Sequence, residues 1–294
     1  QPLLSGNRLY LHEGQLLFRD ATYAAVVLYG GLVWGSAMFD FDNDGDLDIA
    51  QANGQQFNFS PAVTTSIGFE HQPIRLWQNN GAGVFDEVAL DVGLTDTGSG
   101  KGLLTLDYDN DGDLDLLIVN NADAPVLYRN DGGNENQFLS VELAGRRHNT
   151  HGVGALVTID PNLNLPGDEQ LRDRVRGAAA RGGRSHFLGQ SPSLAHFGLG
   201  PHTGPIDRVT VRWTSGAVTT LVDVAPNQHL TIAEPVPEPT SWLLIVAALG
   251  MPGRLTLRLP RVTEKVASSP SMRDNCAPKG LVSLATLTVG RTFR

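Results

Sequence analysis

Five carboxylates fall within nine residues at Asp40-Phe41-Asp42-Asn43-Asp44-Gly45-Asp46-Leu47-Asp48. The pattern returns at Asp107-Tyr108-Asp109-Asn110-Asp111-Gly112-Asp113-Leu114-Asp115. So dense a cluster repels itself and stays compact only when a cation neutralises it. Asp at loop positions 1, 3 and 5, with Gly at 6 for the sharp turn, wraps oxygens around a hard ion of Ca²⁺ size. Position 7 (Asp46 or Asp113) offers a backbone carbonyl, and position 9 (Asp48 or Asp115) closes the shell. The ten aspartates Asp40, Asp42, Asp44, Asp46, Asp48, Asp107, Asp109, Asp111, Asp113 and Asp115 are therefore the candidate metal ligands, for two Ca²⁺. Two copies in one register set these loops apart from ordinary solvated acidic turns.

The flanking elements decide what kind of loop this is. An EF-hand needs helices on both sides and a Glu at position 12. Here that position is Gln51 in one copy and Ile118 in the other. Leu103-Leu104-Thr105-Leu106 leads into the second loop and Leu116-Leu117-Ile118-Val119 leads out. These short apolar runs, bounded by turn residues, predict buried strands. Trp34–Phe39 and Ile49-Ala50 play the same parts in the first copy. Each loop is thus expected to join two strands.

Other chemistries find less support. A hydrolytic carboxylate pair needs separate environments to push its pKa values apart, whereas the ten Asp share one kind of loop. No G-x-S-x-G, phosphate-binding or dinucleotide-binding fingerprint occurs. His148 and His151 stand three apart but beside a predicted turn with no adjacent carboxylate, and His186 and His196 fall in different predicted strands, so these histidines are expected at the surface or supporting turns rather than in a zinc site. The run Arg172, Arg174, Arg176, Arg181 and Arg184 predicts a charged strand face paired with Asp168 and Asp173, with an anionic partner as the alternative. No catalytic residue is assigned.

The chain of 294 residues has a formal charge of −9, unevenly spread. Residues 252–294 carry a net +6, which leaves −15 on residues 1–251. An acidic body repels phosphates and argues against nucleic-acid binding. The one cysteine, Cys276, permits no intrachain disulfide. Frequent Gly and Pro suit many short strands.

The Asp loops sit inside a longer repeat. Arg8-Leu9-Tyr10 precedes Gly14 and Phe18, while Arg75-Leu76-Trp77 precedes Asn79-Asn80-Gly81 and Phe85. Leu9 stands as far before Asp40 as Leu76 does before Asp107. A third beginning, Val126-Leu127-Tyr128-Arg129-Asn130-Asp131-Gly132, has no third Asp loop. Residues 51–72 form a long polar insertion. A fixed period of strands and turns predicts stacked or radial β units, most simply propeller blades. An Asp box followed by Leu-Tyr-x-Asn-x-Gly-x-x-Phe resembles the FG-GAP or VCBS repeats of integrin-like propellers. The resemblance implies Ca²⁺ on a blade hairpin, with Asp46 and Asp113 coordinating through their carbonyls. Two units do not close a ring, so further blades are expected upstream.

From about Asn136 the pattern changes to alternating strands: Phe138–Leu143, Gly152–Ile159, Arg172–Arg176, His196–Gly200, Val209–Trp213 and His229–Ile232. They predict a small β-sandwich. With Gly152-Val153-Gly154-Ala155, His196-Phe197-Gly198-Leu199-Gly200 and Val211–Gly216, this segment resembles the ASPIC/UnbV domain of the cartilage acidic protein-like bacterial family. Pro237-Glu238-Pro239, the apolar run Trp242–Met251 and the basic end resemble a PEP C-terminal sorting signal. That resemblance implies export in a Gram-negative bacterium, transient membrane association and cleavage by an exosortase-type enzyme.

The expected fold is all-β. A partial propeller spans 1–135, a sandwich 136–234, a sorting signal 235–261, and a mostly unstructured basic tail 262–294. The expected function is an exported, calcium-stabilised interaction or adhesion protein that binds protein or polysaccharide at the cell surface. The alternative is a carbohydrate-active or other hydrolytic enzyme with its catalytic residues in upstream blades.

Overall fold

The structure is a computed structural model and describes residues 6–55, 71–146, 149–163, 170–175, 185–186, 189–236 and 288–293. The chain divides into two compact units, Gln1–Pro235 with Thr286–Arg294, and Val236–Ala285. Every element below belongs to the first. Pro237-Glu238-Pro239, Trp242–Met251, Asp168 and Arg176–Arg184 lie outside the described residues.

A short hairpin opens the fold, β1 (Tyr10–His12) with β2 (Phe18–Asp20). The first complete blade follows: β3 (Val33–Phe39), β4 (Asp48–Asn53), β5 (Arg75–Asn79) and β6 (Phe85–Glu87), side by side and antiparallel. The second has β7 (Gly100–Leu106), β8 (Asp115–Asn120) and β9 (Val126–Asn130). One buried cluster fills both blades, with Phe39, Leu76, Leu103, Leu116, Ile118 and Tyr128 among its members.

The sequence repeat and the blade are out of phase. The Leu-aromatic pair begins the third strand of a blade, and the Asp loop that follows joins the first two strands of the next. The register Tyr10↔Asp20, Leu11↔Arg19, His12↔Phe18 reproduces Trp77↔Glu87, Gln78↔Asp86, Asn79↔Phe85. Burial differs sharply between these equivalent hairpins. Trp77 and Phe85 are 3% and 4% exposed, against 56% and 61% for Tyr10 and Phe18. Trp77 and Phe85 of the second hairpin pack with Ile49 of β4 and with Ala25 and Val27, which follow the first hairpin.

After β9 a 3-10 turn at Gly133–Glu135 leads into the sandwich. Its strands are β10 (Gln137–Ala144), β11 (Ala155–Asp160), β12 (Gln170–Val175), β13 (Ser185–His186), β14 (Gly189–Gln190), β15 (Leu194–Gly200), β16 (Ile206–Arg212), β17 (Val218–Val224) and β18 (Gln228–Ala233). One sheet is ordered β15-β10-β18 and the other β12-β11-β16-β17, with β13 and β14 pairing separately. Their inner faces enclose Leu139, Val141, Val157, Phe197, Val209 and Trp213. Val209 and Val211 are fully buried and Trp213 nearly so, as the alternation over 209–213 requires. Among the described residues no barrel closes.

The tail departs from expectation at one place. Thr288–Phe293 forms β19, which pairs with β9 in parallel as the fourth strand of the second blade.

Candidate metal centre

Each Asp loop turns between the first two strands of a blade. Two backbone reversals make the turn possible. Asn43 and Gly45 have φ 55° and 103°, and Asn110 and Gly112 have φ 61° and 102°. Gly and Asn are the residues that enter this left-handed region at least cost. The two loops therefore share one fold.

The carboxylates then converge. Ligand atoms of Asp40, Asp42 and Asp48 lie within 4.8 Å of one another, as do those of Asp107, Asp109 and Asp111. Asp48 anchors the first loop, accepting from the Phe41 N–H at 2.9 Å and the Asn79 N–H at 2.8 Å. Asp115 does the same in the second, accepting from Tyr108 at 2.8 Å and Asn130 at 2.9 Å. Across each turn the position-1 carboxylate accepts from the glycine N–H: Asp40 from Gly45 at 3.0 Å, Asp107 from Gly112 at 3.1 Å. Asp44 and Asp111 each accept the N–H two residues on, from Asp46 and Asp113. Asp46 is half-buried, whereas Asp113 is fully buried and accepts from the Asn134 N–H. Two acidic clusters that can bind a metal ion result.

The electrostatics agree. Burial pushes the Asp48 carboxyl up to about 8, although the Phe41 and Asn79 N–H bonds oppose the shift. Burial, then the charges of Asp111 and Asp115, push Asp113 up to about 8. Burial pushes Asp115 up to about 7, and it also raises Asp107 and Asp109. Without a cation these groups resist ionising together. A bound hard cation removes that resistance, and the all-oxygen donor set suits one.

Sequence reasoning missed the residues around the loops. Asn43 is buried, and its Nδ2 donates to the carbonyls of Gly112 in the second loop and Gly133, both at 3.0 Å. That fixes Oδ1 as the acceptor, so His196 donates to it from Nε2, at 2.6 Å. His196 Nδ1 then accepts from the Ser140 hydroxyl at 2.8 Å. His196 is 2% exposed, so the surface or turn-supporting role expected of it is corrected: it is an interior residue of the sandwich. The Asp40 carboxylate accepts from the Gly198 N–H at 3.2 Å, and the Asn43 carbonyl accepts from the Gly200 N–H at 2.7 Å. Asn130 Nδ2 donates to the Phe41 carbonyl, Asn136 Nδ2 to that of Asp42, and His229 Nε2 lies 3.3 Å from Asp107. Both loops therefore sit where the two blades meet the sandwich. The repeated Asn at loop position 4 was the available signal; its partners, far apart in sequence, were not.

At the opposite end of the blade strands is a cleft of about 240 Å³, lined by Gln55, His71, Thr95, Asp96, Ser99 and Asp123 among others.

This combination of blades with Asp-rich turns and a following sandwich defines a class. Residues 62–118 match the family model of the FG-GAP-like repeat, and residues 145–239 match that of ASPIC and UnbV. The chain carries both modules. The FG-GAP-like match ends within β8, so it crosses from the outer strands of one blade to the inner strands of the next. Cartilage acidic protein 1 of Homo sapiens is 27% identical over 250 residues, covering 79% of this chain and 34% of the relative. The chain thus spans about a third of that relative's length. Among the described residues no helix is long and apolar enough to cross a membrane.

Proposed function

We propose that the chain is an exported, calcium-stabilised interaction protein that binds a protein or polysaccharide at a cell surface and performs no catalysis. The observation that carries this reading is the place of the two Asp loops. Each closes a blade hairpin, and both touch the sandwich through Asp40, Asn43 and Asp107. Calcium there locks a scaffold together. The ligand surface then lies at the other end of the blades, where Thr, Ser, Gln and Asp side chains line the cleft. Such a lining suits the hydroxyls of a polysaccharide. Within the same reading, the segment around Pro237-Glu238-Pro239 serves an exosortase-type enzyme after transient membrane association.

The test is thermal unfolding of the full chain in millimolar Ca²⁺ and in chelator, followed by a glycan array in both conditions. Calcium raises the melting temperature, and array binding requires it. An unchanged melting temperature contradicts the reading.

A further inference from the structure

The second blade lacks a fourth strand of its own. In the first blade β6 follows β5 directly, as a hairpin across Asn80–Val84. After β9 the chain instead turns at Gly133–Glu135 and enters the sandwich. The outer edge of β9 is therefore open to a strand from elsewhere, and an open edge is a template for pairing.

The occupant is β19. It runs parallel to β9 from Thr288↔Val126 to Phe293↔Asn130, with an irregularity between Val289 and Arg291. Its last residue is the anchor. Phe293 is 2% exposed and joins the cluster that contains Phe41, Leu94 and Leu114. Its ring stacks on Phe41 with centroids 6.5 Å apart, and its carbonyl accepts from the Asp131 N–H at 2.9 Å. The pocket floor is shaped for backbone: a Cβ on Gly93 (φ 89°) would stand 3.3 Å from the Thr292 carbonyl oxygen. Backbone pairing with one buried aromatic is how an extended peptide adds to a sheet.

We propose that the outer edge of β9 is a strand-acceptor site for an extended peptide that runs parallel to β9 and buries an aromatic ring at the level of Asn130. Thr288–Phe293 holds it in cis. A hairpin strand such as β6 is tied to its neighbour by a short turn, whereas no short turn holds β19 against β9. A peptide of the same chemistry therefore competes for the place.

The test uses the full chain with Phe293→Asp, which expels the anchor, and a labelled synthetic peptide of residues 286–294. The peptide binds this variant saturably, at one per chain and at least tenfold more tightly than it binds the unaltered protein. The same peptide with Phe293→Ala loses at least tenfold in affinity. Equal affinity for both proteins, or no binding to a folded variant, overturns the proposal. Should the variant not fold, hydrogen exchange on the unaltered protein decides. The amide of Asp131 then exchanges faster than those of the inner strand β8 and slows when peptide is added. Exchange at Asp131 as slow as in β8, or indifferent to peptide, also overturns it.

Discussion

Asn43 and Asn110 hold the same position in the two loops and the same left-handed backbone, yet only Asn43 is buried. Replacing Asn43 by Ala strands two carbonyls and the Nε2–H of His196, which should cost about 3 kcal/mol on top of the backbone penalty. Asn110→Ala should cost only the backbone penalty, about 1–2 kcal/mol. Chemical denaturation of both variants checks the contrast; equal losses would mean that the Asn43 bonds contribute nothing. The carboxylates give a pH prediction. Asp48 and Asp113 sit near 8 and Asp115 near 7 in the ion-free protein, against about 3.9 in an unfolded chain. Between these values the folded state binds more protons than the unfolded one, so chelated protein loses stability as pH rises from about 4 to 8. Calcium needs the ionised groups, so the increment in melting temperature that it brings grows over the same range. Melting curves at pH 5 and pH 8, with and without calcium, test both signs. The acidic clusters were legible because their carboxylates lie close together in sequence. The Ser140–His196–Asn43 chain was not, because it joins three segments that only folding brings together.

At the scale of elements, the loops depend on what lies against their turns. Gly112 has a positive φ, and a Cβ there would overlap the ring of Phe138 at the start of the sandwich. Gly83 has a similar φ but nothing within 4 Å. Gly83→Ala should therefore cost about 1–2 kcal/mol, and Gly112→Ala about 1–3 kcal/mol more from overpacking. Gly112→Ala should also weaken the calcium response, since it pushes the second loop from the sandwich. Calorimetric melts of the two variants make the comparison. A strand buried on one face, such as β16, could be read from alternation alone. The edge strand β17 was missed because its Val-Thr-Thr-Leu-Val-Asp-Val run lies largely at the surface, so no buried face imposes a pattern. The phase of the repeat was hidden for a different reason. A sequence period states how often a unit recurs, and only hydrogen-bonded pairing shows where one blade ends.

At the scale of the molecule, two blades and a sandwich converge on two acidic turns. The all-β class follows from strand patterns and was legible in the chain. Closure of the second blade by β19 was not, since parallel pairing over so long a separation leaves no local signature. The exposed residues Tyr10, Phe18, Tyr23 and Tyr29 gather on and after the first hairpin, whose counterpart in the first blade is buried against Ala25, Val27 and Ile49. The central claim is that each Asp loop holds one calcium ion and that these ions tie the blades to the sandwich. Calorimetric titration of the full chain with Ca²⁺ tests it most directly, over the range of about 10⁻⁴–10⁻³ M typical of extracellular modules. The account predicts two ions per chain, falling to one in Asp42→Ala and to one in Asp109→Ala. No binding through this range, or a stoichiometry that neither substitution changes, would contradict it.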